Sequence, residues 1–137
     1  ALPILTIIKT VRGDLVAAFL DSEDLTITDM AHGCNCIGNM GAGIAATVAK
    51  RMPIAARVDY NYHLSHKKAG IENMLGLWSS SIISMAKRDH RMNSKIFNLY
   101  TQLLPGTRIN GEPPCNYMAI RKAFKSLNNR NNPKNPL

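Results

Sequence analysis

A glycine-rich stretch at residues 32–43 reads HGCNCIGNMGAG, and its glycines are predicted to exclude regular helix or strand there. The preceding segment, residues 25–31, carries alternating β-branched and apolar side chains, which predicts a buried strand. After the stretch, Ile44, Val48 and Met52 recur at a spacing of four, which predicts a helix. A strand, a glycine loop and a helix in this order place the loop beyond the carboxyl end of a strand, where α/β sheets bind ligands.

The rest of the chain alternates between strand and helix patterns. Strands are predicted at residues 4–11, 76–84 and 95–103, and helices at 15–20, from Pro53 through Tyr62, and at 117–127 behind Asn116 as cap. The last helix is predicted to bury Tyr117, Ile120, Phe124 and Leu127. This alternation predicts an α/β domain over residues 1–127 with a largely parallel sheet, although residues 76–103 could form an antiparallel pair. Residues 87–91 are predicted to be an exposed loop, and residues 128–137 a polar tail or loop.

The glycines of the loop suit an anionic ligand. Gly38, Gly41 and Gly43 would let the backbone approach a ligand, and the free amides at the start of the following helix would favour a phosphate or diphosphate. The spacing G-x-x-G-x-G is neither the dinucleotide fingerprint nor the P-loop, so hydride transfer and nucleotide hydrolysis lose support. Glycine content alone is equally compatible with a tight turn that binds nothing.

Residues 32–45, followed by Met52 and Pro53, resemble the macro domain family of ADP-ribose-binding modules. Further similarity lies in Gly13-Asp14-Leu15, in residues 96–102 (IFNLYTQ), which resemble the family's central strand and following loop, and in residues 117–124 (YMAIRKAF), which resemble its next helix. The resemblance covers nearly the whole chain and implies a mixed, mostly parallel sheet between helices.

The family continues past this helix into a further strand, a second glycine-rich loop that often carries a catalytic Asp, and a final helix. Nothing after Leu127 has the apolar run or the glycines for these elements. The chain therefore resembles the family without its last strand and helix, and an exposed sheet edge would favour self-association.

The resemblance also implies an ADP-ribose cleft. In it Asp14 would accept a hydrogen bond from the adenine amino group, Asn35 would contact the distal ribose, and the backbone from Gly41 to Ile44 would lie along the diphosphate. The implied ligand-binding set is Asp14, Leu15, Asn35, Gly38, Gly41, Ala42, Gly43, Ile44, Thr101 and Gln102. These residue types suit such contacts, since a carboxylate accepts from an amine and glycine amides suit a pyrophosphate. A helix cap after Gly13 is an equally compatible role for Asp14.

His32 lies in the phrase His-x-Cys-Asn-Cys, which is most similar to the branch that includes the yeast-type ADP-ribose 1″-phosphate phosphatases. The resemblance implies that His32 is catalytic, because an imidazole beside the distal ribose could act as base, acid or nucleophile at a phosphomonoester. The alternatives are an ADP-ribose reader without catalysis and an ADP-ribosyl hydrolase. The residues alone, without the resemblance to the family, favour the interpretation that His32 is a buried histidine at the end of a strand.

The formal net charge of +8 favours anionic partners, ADP-ribose among them. Nucleic acid remains an alternative, but a basic helix before an Asn-rich segment is more typical of a solvated face, and no aromatic-basic RNA motif is recognisable. No apolar run predicts a membrane span, and three cysteines without a disulfide pattern suit the cytoplasm. The spacing His32-x-Cys34-x-Cys36 lacks a zinc knuckle, so neither a metal nor an organic cofactor is expected.

Overall fold

The computed structural model describes residues 8–106 and 115–130, which form a mixed sheet with helices on both faces. The elements in chain order are α1 (Leu15–Leu20), β1 (Met30–Asn35), α2 (Gly43–Arg51), α3 (Pro53–His66), a 3₁₀ turn (Ile71–Met74), β2 (Trp78–Lys87), β3 (His90–Gln102) and α4 (Tyr117–Asn129). The predicted α/β class is confirmed, and so are the helix break at Pro53 and the cap at Asn116, whose side chain accepts from the Ala119 amide.

The described strands follow the order β1-β3-β2. β1 runs parallel to β3, with Met30 opposite Ile96, and β2 runs antiparallel to β3, with Trp78 opposite Leu99. The antiparallel alternative for residues 76–103 is therefore the correct one. β3 lies at the centre and joins the parallel and antiparallel pairings.

A two-residue turn closes the β2–β3 hairpin. Arg88 and Asp89 both have positive φ, at 48° and 64°, as the turn type that matches the twist of paired strands requires. Lys87 is only 1% exposed, and its Nζ donates to the carbonyls of Asp24 and Ile27 at 3.2 and 3.0 Å. Residues 88–91 are exposed, as predicted, but the loop is only the turn at Arg88 and Asp89. Lys87 ends β2 with its ammonium group solvated by backbone carbonyls, and His90 already belongs to β3.

β1 begins later than the sequence indicates and enters the glycine-rich stretch. The predicted strand at 25–31 is instead β1 at Met30–Asn35, so regular structure extends through Gly33. A Cβ at Gly33 would lie 2.7 Å from Thr101 Oγ1, so this glycine allows close packing against β3 rather than a turn. Residues 8–11 of the predicted strand 4–11 have no regular structure, and residues 4–7 lie outside the described part.

One face of the sheet packs against α2 and α3. Its core contains Met30 and Ile96 from the strands, Val48 and Ala55 from the helices, and Met52 from the junction between α2 and α3, all of them buried. Because side chains alternate along a strand, the neighbours of Ile96 on β3 point to the opposite face. The glycine loop therefore connects the end of β1 to the face of the sheet that α2 and α3 cover.

α4 covers the other face with alanines. Ala119 and Ala123 are both buried, Ala123 packs against Phe97 and Leu99, and Leu127 packs beside them. Of the predicted apolar face, Leu127 packs as expected and Ile120 is half-buried, but Tyr117 is 70% exposed and Phe124 is 55% exposed, so the prediction is wrong for these two. Small side chains let the helix approach the sheet closely, and the Trp78 indole, which donates to Ser126 Oγ at 3.0 Å, fixes the rotation of the helix.

Two further points concern the limits of the elements. α4 continues to Asn129, beyond the predicted end at 127, and residues 131–137 of the predicted tail lie outside the described part. Among the helices of residues 8–106 and 115–130, none has the length and apolar character needed to cross a membrane.

Candidate functional site

A cleft of about 450 Å³ opens where β1 and β3 end and α2 begins. Its walls are formed by Gly33, Cys34, Asn35, Asn39, Gly41, Ala42, Gly43, Ile44, Ala45, Gln102, Pro105 and Gly106. Among these described residues there is no Asp, Glu, Lys, Arg or His. The polar surface of the cleft therefore consists of backbone groups and the amide side chains of Asn35, Asn39 and Gln102.

The amino end of α2 forms one wall. Ala42 is its N-cap and makes no side-chain cap hydrogen bond, whereas α1 and α4 are capped by the side chains of Asp14 and Asn116. The first amides of a helix have no partner within the helix, so those of Gly43, Ile44 and Ala45 can donate into the cleft. The helix dipole adds partial positive charge at the same place.

Asn35 organises the loop that leads to this wall. Its Nδ2 donates to the Asn39 carbonyl at 2.7 Å, and its Oδ1 accepts from the amides of Ile37 and Asn39 at 3.1 and 3.4 Å. A register shift between Cys34 and Asn35 places Asn35 opposite Gln102 at the end of the sheet. Asn35 therefore lines the cleft, while its predicted contact with a ribose stays a prediction.

The glycines of the loop have different roles. Gly38 has φ 68°, and a Cβ there would lie 3.2 Å from His63 Cβ and 3.3 Å from Tyr60 Cδ2, so Gly38 packs against α3 rather than lining the cleft. Gly41 and Gly43 do line the cleft, and a Cβ at Gly43 would meet nothing within 4 Å. Of Gly38, Gly41 and Gly43, the last two therefore bring bare backbone to the cleft.

Three other residues of the predicted binding set lie outside the cleft walls. Asp14 Oδ1 accepts from the Ala17 amide at 3.0 Å and caps α1, and Leu15 is 40% exposed on the same helix. Thr101 is buried under Gly33. The structure thus brings Asn35, Gly41, Ala42, Gly43, Ile44 and Gln102 together, and it does not bring Asp14, Leu15, Gly38 or Thr101 into the same walls.

His32 is buried and is not among the described residues that line the cleft. It is 5% exposed, and its Nε2 is 2.8 Å from Asn98 Oδ1. Since Asn98 Nδ2 donates to the Ala55 carbonyl and to Ser79 Oγ, Oδ1 is the acceptor and His32 Nε2 carries the proton. Burial lowers the pKa of His32, with the Asn98 hydrogen bond acting in the opposite sense, so the ring is neutral near pH 7.

The two neighbouring thiols are also neutral. Cys34 Sγ lies 3.8 Å from His32 Nδ1, and Cys34 is among the residues that line the cleft. Burial raises the pKa of Cys34 strongly and raises the pKa of Cys36 to about 11, so neither thiol is a nucleophile at neutral pH. Within the described residues no group of His, Cys, Asp and Glu could hold a metal ion.

Several known proteins are similar to this chain in sequence or in fold. No family profile matches the chain. Two yeast proteins named ADP-ribose 1″-phosphate phosphatase are similar to it. The one from Meyerozyma guilliermondii is 30% identical over 61% of this chain and 43% of its own length. The one from Debaryomyces hansenii is 36% identical over 43% of this chain and 32% of its own length. The macrodomain of Thermus aquaticus DarG superposes with a TM-score of 0.56 at 17% identity, over 85% of this chain and 63% of that one. The chain has the macro domain fold.

Two more relatives of this macro domain carry no functional name. An uncharacterized 17.5 kDa protein from the tk-vs intergenic region of Enterobacteria phage T4 is 33% identical over 89% of this chain and 66% of its own length. A protein of unknown function from Bacteroides thetaiotaomicron has a TM-score of 0.55 at 19% identity, over 85% of this chain and 65% of that one. The macro domain described here thus spans two thirds or less of the length of each of these relatives.

Sequence reasoning missed several residues of the macro domain cleft. Asn39, Pro105 and Gly106 all line it. Asn39 stands between Gly38 and Gly41, and its Oδ1 is the atom that a Cβ at Gly41 would meet at 2.8 Å. An amide inside a glycine loop was a usable signal for Asn39. Pro105 and Gly106 follow β3 in a turn, and the sequence alone does not bring that turn to the loop after β1.

Proposed function

We propose that this macro domain binds ADP-ribose in the glycine-lined cleft. The observation that carries the proposal is the open amino end of α2, where Gly43, Ile44 and Ala45 form a wall of the cleft and Ala42 offers no side-chain acceptor. Backbone amides and a helix dipole in this arrangement form an anion site, and a diphosphate is the anion that ADP-ribose would place there. Similarity to proteins named for ADP-ribose 1″-phosphate supports this choice of nucleotide.

The composition of the walls supports the same ligand. Among the described lining residues there is no carboxylate to repel a diphosphate, and the cleft volume of about 450 Å³ is within the ordinary range for small-molecule sites. The amides of Asn39 and Gln102 can donate to and accept from ribose hydroxyls. Ile44, 43% exposed at the rim, provides an apolar surface for a sugar or a base.

Calorimetric titration with ADP-ribose tests the proposal. We expect saturable binding at one site, and AMP, which lacks the second phosphate, should bind at least tenfold more weakly. Gly41→Glu should abolish binding because it places a carboxylate against the diphosphate. Gly41→Gln, of the same length but uncharged, is the matched control and should retain more of the affinity. Undetectable binding at millimolar ADP-ribose, or equal affinities for Gly41→Glu and wild type, would refute the proposal.

A second candidate function is hydrolysis of ADP-ribose 1″-phosphate to ADP-ribose and phosphate. The names of the two yeast relatives favour it. Water would attack the phosphorus atom, and the bond between phosphorus and the anomeric oxygen would break, with a proton passing to the leaving oxygen. Asn35 and Gln102 can orient such a water, but among the described lining residues only the neutral Cys34 thiol is titratable. Binding is therefore the function that the geometry supports best.

The catalytic role predicted for His32 stays a prediction, and it requires the buried ring, which is not among the described residues lining the cleft, to reach the phosphate. Phosphate release from ADP-ribose 1″-phosphate, measured for wild type and His32→Ala, tests it. A catalytic His32 predicts a large fall in kcat with ADP-ribose affinity and melting temperature nearly unchanged. A fall in melting temperature without a change in kcat per folded molecule would assign His32 to the core. No phosphate release by a wild-type protein that binds ADP-ribose would make the chain a reader.

A further inference from the structure

The outer face of α4 combines aromatic and basic side chains. Tyr117, Arg121, Phe124 and Lys125 recur at i, i+4, i+7 and i+8, so they share one stripe of the helix. All four are exposed, because the opposite stripe, with Ala119 and Ala123, packs on β3. We call these four side chains the α4 stripe.

The charge of this stripe has one sign. α4 contains no Asp or Glu, and no acidic residue follows Glu112 in the sequence. In the described part of the chain an ion pair forms between Arg51 and Asp21, away from α4. Neither Arg121 nor Lys125 is paired with a carboxylate among the described residues. A surface with uncompensated positive charge is complementary to a polyanion.

The exposed aromatic rings indicate which class of polyanion the α4 stripe suits. Tyr117 is 70% exposed and Phe124 is 55% exposed, and seven residues of helix separate them by about 10 Å along the axis. Arg121 stands between them, one helical turn from each, so a guanidinium lies between two exposed rings. Exposed rings interleaved with cations stack on unpaired bases while the cations contact phosphates.

We propose that the α4 stripe binds single-stranded nucleic acid without sequence preference. An acidic peptide would use the charges but leave the two rings in water. A lipid surface would favour a continuous apolar stripe, whereas here Arg121 interrupts it. The stripe lies on the opposite face of the sheet from α2 and α3, so the proposal does not depend on the ligand of the cleft.

Fluorescence anisotropy with a labelled 20-nucleotide oligothymidine, at several salt concentrations, tests the proposal. Tyr117→Ala and Phe124→Ala should each weaken binding about tenfold, the usual effect of losing one stacked base. The double variant Arg121→Gln/Lys125→Gln should lower the slope of log K against log salt by about 1.4, because two phosphate contacts are lost. A duplex of the same length should bind more weakly than the single strand.

Matched controls come from the other side of the sheet. Arg57 and Tyr60 are exposed on α3, and Tyr60 is 52% exposed. Arg57→Gln and Tyr60→Ala should leave oligonucleotide binding within about twofold of wild type. Equal losses in these controls would assign binding to the overall charge and overturn the proposal. Absence of binding at 50 mM salt, preference for anionic vesicles over DNA, or concentration-dependent self-association that Tyr117→Ala abolishes would also overturn it. ADP-ribose affinity should be unchanged in every stripe variant, which separates this test from that of the cleft.

Discussion

Replacing Ala42 by Asp should stabilise the fold and abolish anion binding in the same molecule. Ala42 is the N-cap residue of α2, has φ −144° and is exposed, so an aspartate fits there without backbone strain. Its carboxylate would accept from the first amides of α2, in the way that Asp14 accepts from Ala17 at α1. Those amides are the groups that we propose for the diphosphate. This one substitution should therefore raise the stability of the fold and lower its affinity for the anion.

The expected sizes follow from the geometry of the helix end. An Asp cap in place of Ala stabilises a helix by about 0.5–2 kcal/mol, which for a chain of this size raises the melting temperature by roughly 2–8 °C. A carboxylate about 4 Å from a phosphate opposes it by about 4 kcal/mol at an effective dielectric constant of about 20, before screening by salt. Binding should therefore weaken at least tenfold and up to about a thousandfold.

Thermal unfolding and calorimetry with ADP-ribose measure the two effects on the same protein. Asn61→Asp, an isosteric change on the exposed side of α3, alters the net charge equally and should change affinity less than twofold. A variant that binds ADP-ribose as tightly as wild type while its melting temperature rises would show that the ligand does not use the α2 amides. That result would refute the reasoning about the cleft.

Three further predictions concern the fold around the cleft. Burial lowers the pKa of His32, so the unfolded chain binds a proton at this side chain at a higher pH than the folded protein does, and stability present at pH 7.5 is lost as the pH falls below about 6.5. In urea titrations the free energy of unfolding of His32→Gln should fall less steeply with decreasing pH than that of wild type, by up to about 1.4 kcal/mol per pH unit. Gly38→Ala and Gly43→Ala impose similar backbone strain, at φ 68° and 60°, but of these two glycines only Gly38 contacts α3, so Gly38→Ala should be less stable than Gly43→Ala by about 1 kcal/mol or more. Equal losses of unfolding free energy in the two variants would contradict the packing argument. Tyr100→Phe removes the hydrogen bond to the buried Asp59 carboxyl, whose pKa burial already raises, so the free energy of unfolding should fall by about 1–3 kcal/mol, and by more at pH 7.5 than at pH 4.5. A loss that does not change with pH would show that Asp59 does not titrate in the folded state.

The local signals in the sequence predicted what local chemistry controls. Asp14 and Asn116 cap the helices that follow them, and Pro53 begins α3, because caps and proline act on the backbone beside them. The resemblance of the glycine stretch to one family was enough to identify the fold. None of these signals depends on a distant contact.

The errors arose where a distant contact decides. Gly33 belongs to β1 because Thr101 occupies the space of a side chain, and these two residues are 68 positions apart. Lys87 is buried because carbonyls at 24 and 27 reach its ammonium group. For α4, hydrophobicity favoured Tyr117 and Phe124 as the buried face, whereas close approach to the sheet selected the smaller alanines. Hydrophobic periodicity locates a helix better than it orients one.

The same distinction explains how a glycine-rich loop can form a defined cleft. Gly38 packs on α3, and His63 Nδ1 lies 2.9 Å from the Cys36 carbonyl, so α3 holds the loop on one side. Asn35 holds it on the other through three hydrogen bonds. The backbone at Gly41 and Gly43 is therefore positioned by residues around it, although glycine itself is permissive. A loop fixed in this way presents its amides before a ligand arrives, so the binding free energy is not reduced by the entropy of ordering the loop.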